Sequence, residues 1–247
     1  MTDTARFSWT VLLPVKVLAR AKSRLAVLAG DRRGELALAL ASDTVCAVLA
    51  CPEVARVIVV TSDPVAGPLL AALGAVVVPD QPADRSASRG TRGLGPRGGA
   101  DVPGMLGDLG VQDALNAALR HGAAVASRRW PGTGLAALTA DLPAVSPAEL
   151  AAALRAAGAS PGQAAFVPDA AGVGTTLYAV PPGGEFRPLF GGASRARHAA
   201  AGATELELDD MTGLRRDVDT PDDLREALTL GVGPFTRSVA ADLFTDV

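Results

Sequence analysis

The spacing of apolar and polar residues predicts alternating strands and helices in the first part of the chain. An apolar run of strand length spans 9–15, and β-branched residues continue without a break over 56–61, as in a strand buried on both faces. A roughly helical apolar stripe between them predicts a helix over 31–49, with Asp31 able to cap its start. A further helix over 64–73, closed by Gly74, and a strand over 75–78 follow. This alternation indicates a mostly parallel sheet flanked by helices.

One segment interrupts this alternation before it resumes. Residues 81–110 hold eight glycines and three prolines, which predicts a long flexible loop inserted into the domain. After it, the pattern predicts helices over 112–127 and 194–201, strands over 135–139, 164–167, 175–180 and 204–208, and helices that begin at the caps Ser146 and Thr220. We therefore predict a single α/β domain over 1–247 with one loop insertion at about 81–110.

Composition narrows the class of protein. Hydrophobic residues make up 49% of the chain and charged residues 20%, which suits a folded core and excludes overall disorder. The net charge of −3 argues against nucleic-acid binding, which would show a basic excess. No apolar run is long enough to span a membrane or to form the core of a signal peptide, so we expect no membrane partner and a cytoplasmic protein. Cys46 and Cys51 form neither a disulfide framework nor a zinc motif.

The use of lysine is the most unusual feature of the composition. Of the 23 basic residues, 21 are arginine, and the two lysines, Lys16 and Lys22, stand six positions apart just after the first predicted strand. A compact ammonium can reach a phosphate as a point charge where a planar guanidinium would not fit. The alternative at this point is that both lysines lie on an ordinary solvated loop.

Three clusters of polar residues follow predicted strands, where open parallel sheets bind their ligands. They are the basic segment with Lys16, Lys22, Ser23 and Arg24, the lone acid Asp141, and the pair Asp217 and Asp219. Basic side chains can hold a triphosphate, and carboxylates from separate strand ends can hold Mg²⁺. The clusters therefore predict a magnesium–nucleotide site, although Asp141 alone would also suit a turn. Neither a Walker A motif nor a Gly-x-Gly-x-x-Gly fingerprint is present, which argues against those nucleotide folds.

Six segments in order strengthen this interpretation. They read VLLPVKVLARAKSRL, DALNAAL, LTADLPAVSPAEL, DAAGVGTTLYAV, FGGASRARH and LRRDVDTPDDL. Together they resemble the CofC/FbiD family of nucleotidyltransferases, of the molybdenum-cofactor-guanylyltransferase-like group. The resemblance covers nearly the whole chain outside the 81–110 loop and implies a GT-A-like, Rossmann-like α/β domain.

The resemblance also implies a reaction and a set of site residues. The reaction joins GMP from GTP to phosphoenolpyruvate in coenzyme F-420 biosynthesis, with release of pyrophosphate and with Mg²⁺ as cofactor. By matching motif positions, Asp141 and Asp217 resemble the Mg²⁺ ligands, with the role of Asp219 left open. Thr175, Gly191 and Ser194 resemble the phosphoenolpyruvate site. The triphosphate would contact Lys16, Lys22 and Arg24, with Ser23 as a hydroxyl donor, and the nucleoside would contact Asn116.

Several alternatives stay open from the sequence alone. The acceptor can be phosphoenolpyruvate, 2-phospho-L-lactate or 3-phosphoglycerate, which differ by a double bond or a hydroxyl. Another cofactor nucleotidyltransferase is a second reading, but the segment PVKVLARAKSR lacks the glycines that usually open those families. A non-catalytic nucleotide-binding protein is the third. The oligomeric state and any hand-over of product to the downstream transferase are not determined by the sequence.

Overall fold

The structure, a computed structural model, describes residues 7–16, 18, 22–80 and 103–245, and for Ser23, 103–111 and 245 it describes the backbone. Its strands are β1 Trp9–Pro14, β2 Val54–Val60, β3 Val76–Val78, β4 Gly134–Leu138, β5 Ala165–Pro168, β6 Thr175–Val180 and β7 Thr204–Glu205. Its helices are α1 Ala26–Ala29, α2 Arg33–Leu49, α3 Ala66–Ala72, α4 Pro103–Arg129, α5 Pro147–Gly158, α6 Ser194–Ala200, α7 Thr212–Arg215, α8 Pro221–Leu230 and α9 Pro234–Thr245.

The strands of the described residues form one mostly parallel sheet, as predicted. Their order is β3-β2-β1-β4-β6-β5-β7, in which β1 pairs in parallel with β2 and β4, while β6 is antiparallel to both of its neighbours. The carboxyl ends of β1, β2 and β4 therefore meet at one edge. Because β6 runs the other way, its first residue, Thr175, reaches that same edge.

Side chains of β1 alternate between the two faces of the sheet and so build two cores. Val11 and Leu13 pack into a cluster with residues of α2 and α5. Leu12 points the other way, into a cluster that includes Leu119 of α4 and Phe166. All of these side chains are fully buried, which is the pattern expected of a central strand covered by helices on both faces.

A third cluster fixes the C-terminal part of the chain against α2. The buried carboxylate of Asp43 accepts hydrogen bonds from the backbone N–H groups of Phe235 (3.1 Å) and Thr236 (2.7 Å), and so caps α9 from inside α2. A Cβ at Gly233 would lie 2.2 Å from Asp43 Oδ1, so a larger residue does not fit there. Val218 is fully buried in this cluster, and its N–H donates to the carbonyl of Asp141 at 3.1 Å. This packing brings residues 217–219 beside the end of β4.

Several element boundaries differ from the prediction. Helix α4 begins at Pro103, nine residues before the predicted start at Gln112, so the last part of the predicted 81–110 loop is helical. Glycines at 104, 107 and 110 lower helix propensity and conceal this start. The rest of the predicted loop, 81–102, lies outside the described residues. Helix α2 begins at Arg33 after a 3-10 turn and without a side-chain cap, so Asp31 does not cap it.

The helix starts predicted at Ser146 and Thr220 are confirmed. Both residues make complete capping boxes, with Glu149 and Asp223 as the partners that bond back to the cap backbone. Helix α9 and the short helix α7 were not predicted. No helix in the described ranges is long and apolar enough to cross a membrane.

Candidate active site

A cavity of about 720 Å³ opens at the carboxyl edge of β1 and β4. It collects nearly all of the residues that the sequence singled out. The predicted residues that line it are Lys16, Lys22, Arg24, Asp141, Thr175, Gly191, Ser194, Asp217 and Asp219. These residues are as much as 203 positions apart in the sequence, so the topology of the sheet is what assembles them. The side chain of Ser23 lies outside the described atoms.

Asp141 occupies the turn that follows β4. The turn is held by the hydroxyl of buried Thr44, which accepts the N–H of Leu142 at 3.0 Å, and by the bond from Val218 N–H to the Asp141 carbonyl. Oδ2 of Asp141 accepts a hydrogen bond from Nζ of Lys22, whereas Oδ1 is buried without a hydrogen-bond partner among the described residues. A buried anionic oxygen without a donor is costly unless a cation or another ligand binds it.

Asp217 and Asp219 both face the cavity, next to Asp141. Burial raises the pKa of Asp217 to about 7, and the nearby charges of Asp141, Asp219 and Asp169 add to the increase. Asp219 behaves differently. Desolvation at the cavity edge works to raise its pKa, but the ammonium of Lys22, helped by Arg24 and Lys16, brings it below the ordinary value.

Lys22 is the positive centre of this acid cluster. Its Nζ donates hydrogen bonds to Asp141 and, at 2.8 Å, to Asp219, and its side chain is only 11% exposed. Burial alone would lower the pKa of Lys22, but the two carboxylates outweigh it and raise the pKa, so the ammonium stays charged. The backbone of Lys22 has φ of 52°, a left-handed conformation that non-glycine residues rarely adopt. Such strain is typical of functional sites.

The donor set at this edge fits a magnesium ion. Three carboxylates lie near one ammonium, and one buried carboxylate oxygen lacks a partner among the described residues. The pKa of Asp217 is raised first by burial and then by the neighbouring carboxylates. In the described part of the chain, no three or more His, Cys, Asp or Glu side chains are placed so that they could hold a metal ion by themselves. An ion at this edge would therefore have to complete its shell with water and substrate phosphates, as magnesium can, because it commonly takes only one or two carboxylates.

Asp63 ties the basic segment to the sheet. Its Oδ2 accepts the N–H of Leu18 at 2.8 Å, while Oδ1 accepts the N–H groups of Val65 and Ala66, both at 2.8 Å, at the start of α3. Burial works to raise the pKa of Asp63, but these backbone donors outweigh it and lower the pKa. Asp63 was not among the predicted site residues, although an Asp three positions before a helix is a recognisable cap signal.

A compact turn, residues 169–174, presents Thr175 to the cavity. Asp169 builds the turn by accepting the N–H of Val173 at 2.9 Å and that of Gly174 at 2.8 Å. A Cβ at Gly174 would lie 2.4 Å from the Asp169 carboxylate, so glycine is required there. Arg215 holds the other side of the turn by donating to the Asp169 carbonyl at 3.0 Å. Asp169 also lines the cavity, and the sequence analysis missed it.

The loop with Gly191 is fixed by two buried polar side chains behind it. Asn116 accepts the N–H of Phe190 at 2.9 Å and donates to the carbonyls of Phe190 at 3.0 Å and Gln112 at 2.9 Å. His198 accepts the N–H of Leu189 at 2.9 Å. At Gly191, φ is +99° and a Cβ would lie 2.4 Å from Gln112, so only glycine fits.

His198 is completely buried behind Thr175. Its Nδ1 lies 3.0 Å from the hydroxyl oxygen of Thr175, and its ring is stacked on Tyr178. Burial lowers the pKa of His198 to about 4, and the positive charge of Arg197 acts in the same direction. The imidazole is therefore neutral at physiological pH.

Comparison with known proteins places the chain in a family. It is 52% identical over 237 residues to a phosphoenolpyruvate guanylyltransferase of Thermomonospora curvata, covering 96% of this chain and 90% of that protein. It is 54% identical over 236 residues to the protein of the same name from Streptomyces coelicolor, covering 95% and 97%. The chain belongs to the phosphoenolpyruvate guanylyltransferase family. No protein-family model matches the chain.

Solved structures agree with this family on the fold. A protein assigned as a nucleotide-diphospho-sugar transferase from Desulfovibrio desulfuricans G20 superimposes with a TM-score of 0.55 at 15% identity, covering 90% of this chain and 96% of that one. A nucleotidyl transferase from Methanothermobacter thermautotrophicus gives a TM-score of 0.52 at 18% identity, covering 91% and 97%. The predicted α/β nucleotidyltransferase fold is therefore confirmed.

Within the phosphoenolpyruvate guanylyltransferase fold, one predicted site residue stands apart from the others. Asn116 does not line the cavity, and its amide group is engaged by the backbone of Phe190 and Gln112. Its predicted contact with the nucleoside stays a prediction. Its hydrogen bonds instead hold the backbone next to Gly191.

Proposed function

We propose that this chain transfers GMP from GTP to phosphoenolpyruvate, giving enolpyruvoyl-2-diphospho-5′-guanosine and pyrophosphate. The observation that carries the proposal is the identity above 50% to proteins named phosphoenolpyruvate guanylyltransferase, over at least 90% of both chains. The cavity supports it with two groups of residues suited to two different anions. We call the residues Lys16, Lys22, Arg24, Asp141, Asp217 and Asp219 the donor side, and Thr175, Gly191 and Ser194 the acceptor side.

The donor side suits a nucleoside triphosphate. Three cationic side chains lie along the cavity beside three carboxylates. In a metal-bound triphosphate, the phosphates would pair with the cationic side chains and the metal ion with the carboxylates. In the proposed complex, Lys22 exchanges a carboxylate for a phosphate oxygen and keeps its proton. Its high pKa and short reach to both carboxylates support this role.

We propose Mg²⁺ as the cofactor, held by Asp141 and Asp217, with Asp219 alongside. When bound, the ion supplies positive charge that offsets the charge developing on the phosphates during transfer. Two observations support this assignment: the buried oxygen of Asp141 without a partner among the described residues, and the burial of Asp217 beside other carboxylates.

The acceptor side suits a small phosphorylated acid. Thr175 and Ser194 supply hydroxyl groups, Gly191 lets the backbone approach the ligand closely, and both hydroxyl residues are buried. Neutral donors bind an anion without adding a charge that would hold it too tightly for release. This composition supports phosphoenolpyruvate, which carries a phosphate and a carboxylate on three carbons.

The proposed reaction is a single displacement at the α phosphorus of GTP. A phosphate oxygen of phosphoenolpyruvate attacks, a new P–O bond forms, and the bond to the bridging α–β oxygen breaks with its electrons leaving on pyrophosphate. The attacking oxygen is already anionic, so no general base is needed. The task of the protein is to bring two anions together in line and to stabilise the charge, as positioning and electrostatic catalysis do. The product would then enter coenzyme F-420 biosynthesis.

The test is pyrophosphate release with GTP, Mg²⁺ and one acceptor at a time: phosphoenolpyruvate, 2-phospho-L-lactate or 3-phosphoglycerate, with the product mass determined. We expect the highest kcat/KM and a GMP-adduct mass with phosphoenolpyruvate. Faster turnover with either of the other two acceptors would mean that the proposed acceptor is wrong but the proposed reaction type is right. Binding of GTP without turnover on any acceptor would favour a non-catalytic nucleotide-binding protein. Thr175→Val is the variant to compare with the wild type, because it removes one hydroxyl of the acceptor side at nearly constant volume. We expect it to raise the KM for phosphoenolpyruvate.

A further inference from the structure

His198 lies behind the acceptor side and contacts two parts of it. One ring nitrogen, Nδ1, faces the hydroxyl of Thr175 at 3.0 Å, and the other, Nε2, accepts the backbone N–H of Leu189 at 2.9 Å. Thr175 lines the cavity, whereas the ring itself is fully buried. His198 therefore connects the first residue of β6 to the loop that carries Gly191.

These two bonds determine which ring nitrogen carries the proton. A backbone N–H can only donate, so Nε2 must be unprotonated to accept from Leu189. A neutral imidazole then has its hydrogen on Nδ1, and Nδ1 donates to the oxygen of Thr175. Because Nδ1 cannot accept, the hydroxyl hydrogen of Thr175 must point elsewhere. Among the described residues the ring is the sole hydrogen-bond partner of this hydroxyl, so its hydrogen is free for a ligand in the cavity.

The aromatic surroundings prevent the ring from turning over. Tyr178 stacks on it with ring centroids 4.7 Å apart and an interplanar angle of 18°. Phe190 meets its edge at 5.5 Å, and Phe166 lies at 5.6 Å. A ring held on these sides keeps Nδ1 toward Thr175 and Nε2 toward Leu189.

We propose that His198 is a positioning residue: its Nδ1–H fixes the Thr175 hydroxyl as a hydrogen-bond donor aimed at the acceptor anion. This inference deepens the proposed function and rests on it for the identity of the acceptor. An anion can only accept hydrogen bonds, so a hydroxyl already oriented as a donor binds it without first breaking a bond to the protein. His198 touches no substrate: it acts through Thr175, while its ring is also hydrogen-bonded to the backbone of Leu189 and Ser194.

The kinetic test is a double-mutant cycle of His198→Gln and Thr175→Val. We expect each single change to raise the KM for phosphoenolpyruvate about tenfold or more, with the KM for GTP changed less than about twofold. In the Thr175→Val background, His198→Gln should add less than about twofold, because the hydroxyl it orients is gone. If the two single effects on the KM for phosphoenolpyruvate multiply in the double variant, or if both KM values change equally, His198 is only a packing residue. His121→Gln, on α4, is the control and should change neither constant.

A second measurement needs no variant and no turnover. The chain has two histidines, so nitrogen-15 NMR of the imidazole groups gives a simple spectrum. We expect one neutral histidine with a protonated Nδ1 and an unprotonated Nε2 in the ligand-free protein. The opposite tautomer would overturn the proposal. This result does not depend on the proposed function, so a wild-type protein that lacks turnover would not be mistaken for a wrong assignment of His198.

Discussion

The donor and acceptor sides of the cavity contrast in how they prepare for an anion. The donor side gathers charges of both signs: Lys22 pairs with Asp141 and Asp219, whereas burial and these neighbouring carboxylates raise the pKa of Asp217. The acceptor side carries hydroxyl and glycine residues, and its supports are the neutral side chains of His198 and Asn116. One side is electrostatically unbalanced without ligands, and the other is already hydrogen-bonded in its binding arrangement.

This difference teaches that the two substrates make different demands on the chain. In the proposed complex, a triphosphate with its cation would bring enough charge to reorganise the donor side, where Lys22 is shared between two acids. A three-carbon phosphoacid makes fewer contacts, so its site must be rigid beforehand. Changes on the donor side should therefore alter charge balance and turnover, whereas changes on the acceptor side should alter one KM.

The largest effect is expected for Asp217→Asn. We expect kcat/KM to fall at least a thousandfold, because a carboxylate proposed to hold the cation is lost. The ligand-free protein should become more stable, by about 1 kcal/mol or more, since a carboxyl group that is buried and lies beside other acids is replaced by a neutral amide. The measurements are steady-state kinetics and thermal unfolding. Asp209→Asn, an exposed acid outside this cavity, is the control. Loss of both activity and stability would contradict an unbalanced donor side.

His198 should make stability depend on pH below neutrality. Its pKa is about 4 in the folded protein and near 6.5 when unfolded. Above pH 6.5 both states are neutral and stability is complete; as the pH falls from 6.5 toward 4, the unfolded chain binds the proton first and stability is lost. The loss should reach about 3 kcal/mol.

The measurement for His198 is denaturant unfolding of wild type and His198→Gln across this range. Arg197 on α6 and Tyr178 on β6 are the titratable or charged neighbours of the ring, and neither changes charge between pH 4 and 6.5. The difference between the two proteins isolates the histidine, because other carboxyl groups titrate in both. A difference that stays constant with pH would mean that the ring is not held neutral.

Lys22→Ala should raise the KM for GTP about tenfold to a hundredfold, as expected when a charge-assisted bond to phosphate is lost. The KM for phosphoenolpyruvate should change less than about threefold. Arg129→Ala removes a positive charge at the far end of α4, where the guanidinium lies over Trp130, and should leave both values near wild type. An unchanged KM for GTP in Lys22→Ala would mean that Lys22 does not bind the triphosphate and is an ordinary loop lysine.

Asn116→Ala separates two roles for one residue. Its hydrogen bonds to Phe190 predict a rise of about tenfold in the KM for phosphoenolpyruvate, since the backbone behind Gly191 loses its support. A direct contact with the nucleoside predicts the rise in the KM for GTP instead. Kinetics with each substrate varied in turn distinguish the two.

The smallest effect is expected outside both sides of the cavity. Asp43→Asn keeps one oxygen acceptor for the two N–H groups at the start of α9, so stability should fall by about 1 kcal/mol, or about 2–4 °C in Tm. Both KM values should stay unchanged. A kinetic effect would show that α9 is coupled to the cavity through the packing of Val218.

The sequence predicted features that depend on local chemistry. Continuous β-branched residues located β2, and the cap, proline and acid at Thr220 located the start of α8. Polar residues after predicted strands identified Asp141, because strand ends in a parallel sheet meet at one edge.

Features that depend on distant backbone partners were not predictable. Asn116 bonds to Phe190, 74 positions away, and Asp63 bonds to Leu18, 45 positions away. A lone buried polar residue gives no sign in the sequence of which backbone group it will meet. For the same reason, His198 gave no indication of its place behind Thr175, although it ends the segment FGGASRARH. The boundary of α4 was missed because glycines at 104, 107 and 110 lower helix propensity over its first turns.

The most direct test of the account is to follow radiolabelled GTP in a reaction with phosphoenolpyruvate. With the label on the α phosphorus, we expect it in the acceptor adduct; with the label on the γ phosphorus, we expect all of it in pyrophosphate. That outcome requires attack at the α phosphorus by an acceptor bound opposite the triphosphate. Transfer of the γ label to the acceptor, or release of labelled GMP without an adduct, would contradict the division of the cavity into a donor and an acceptor side.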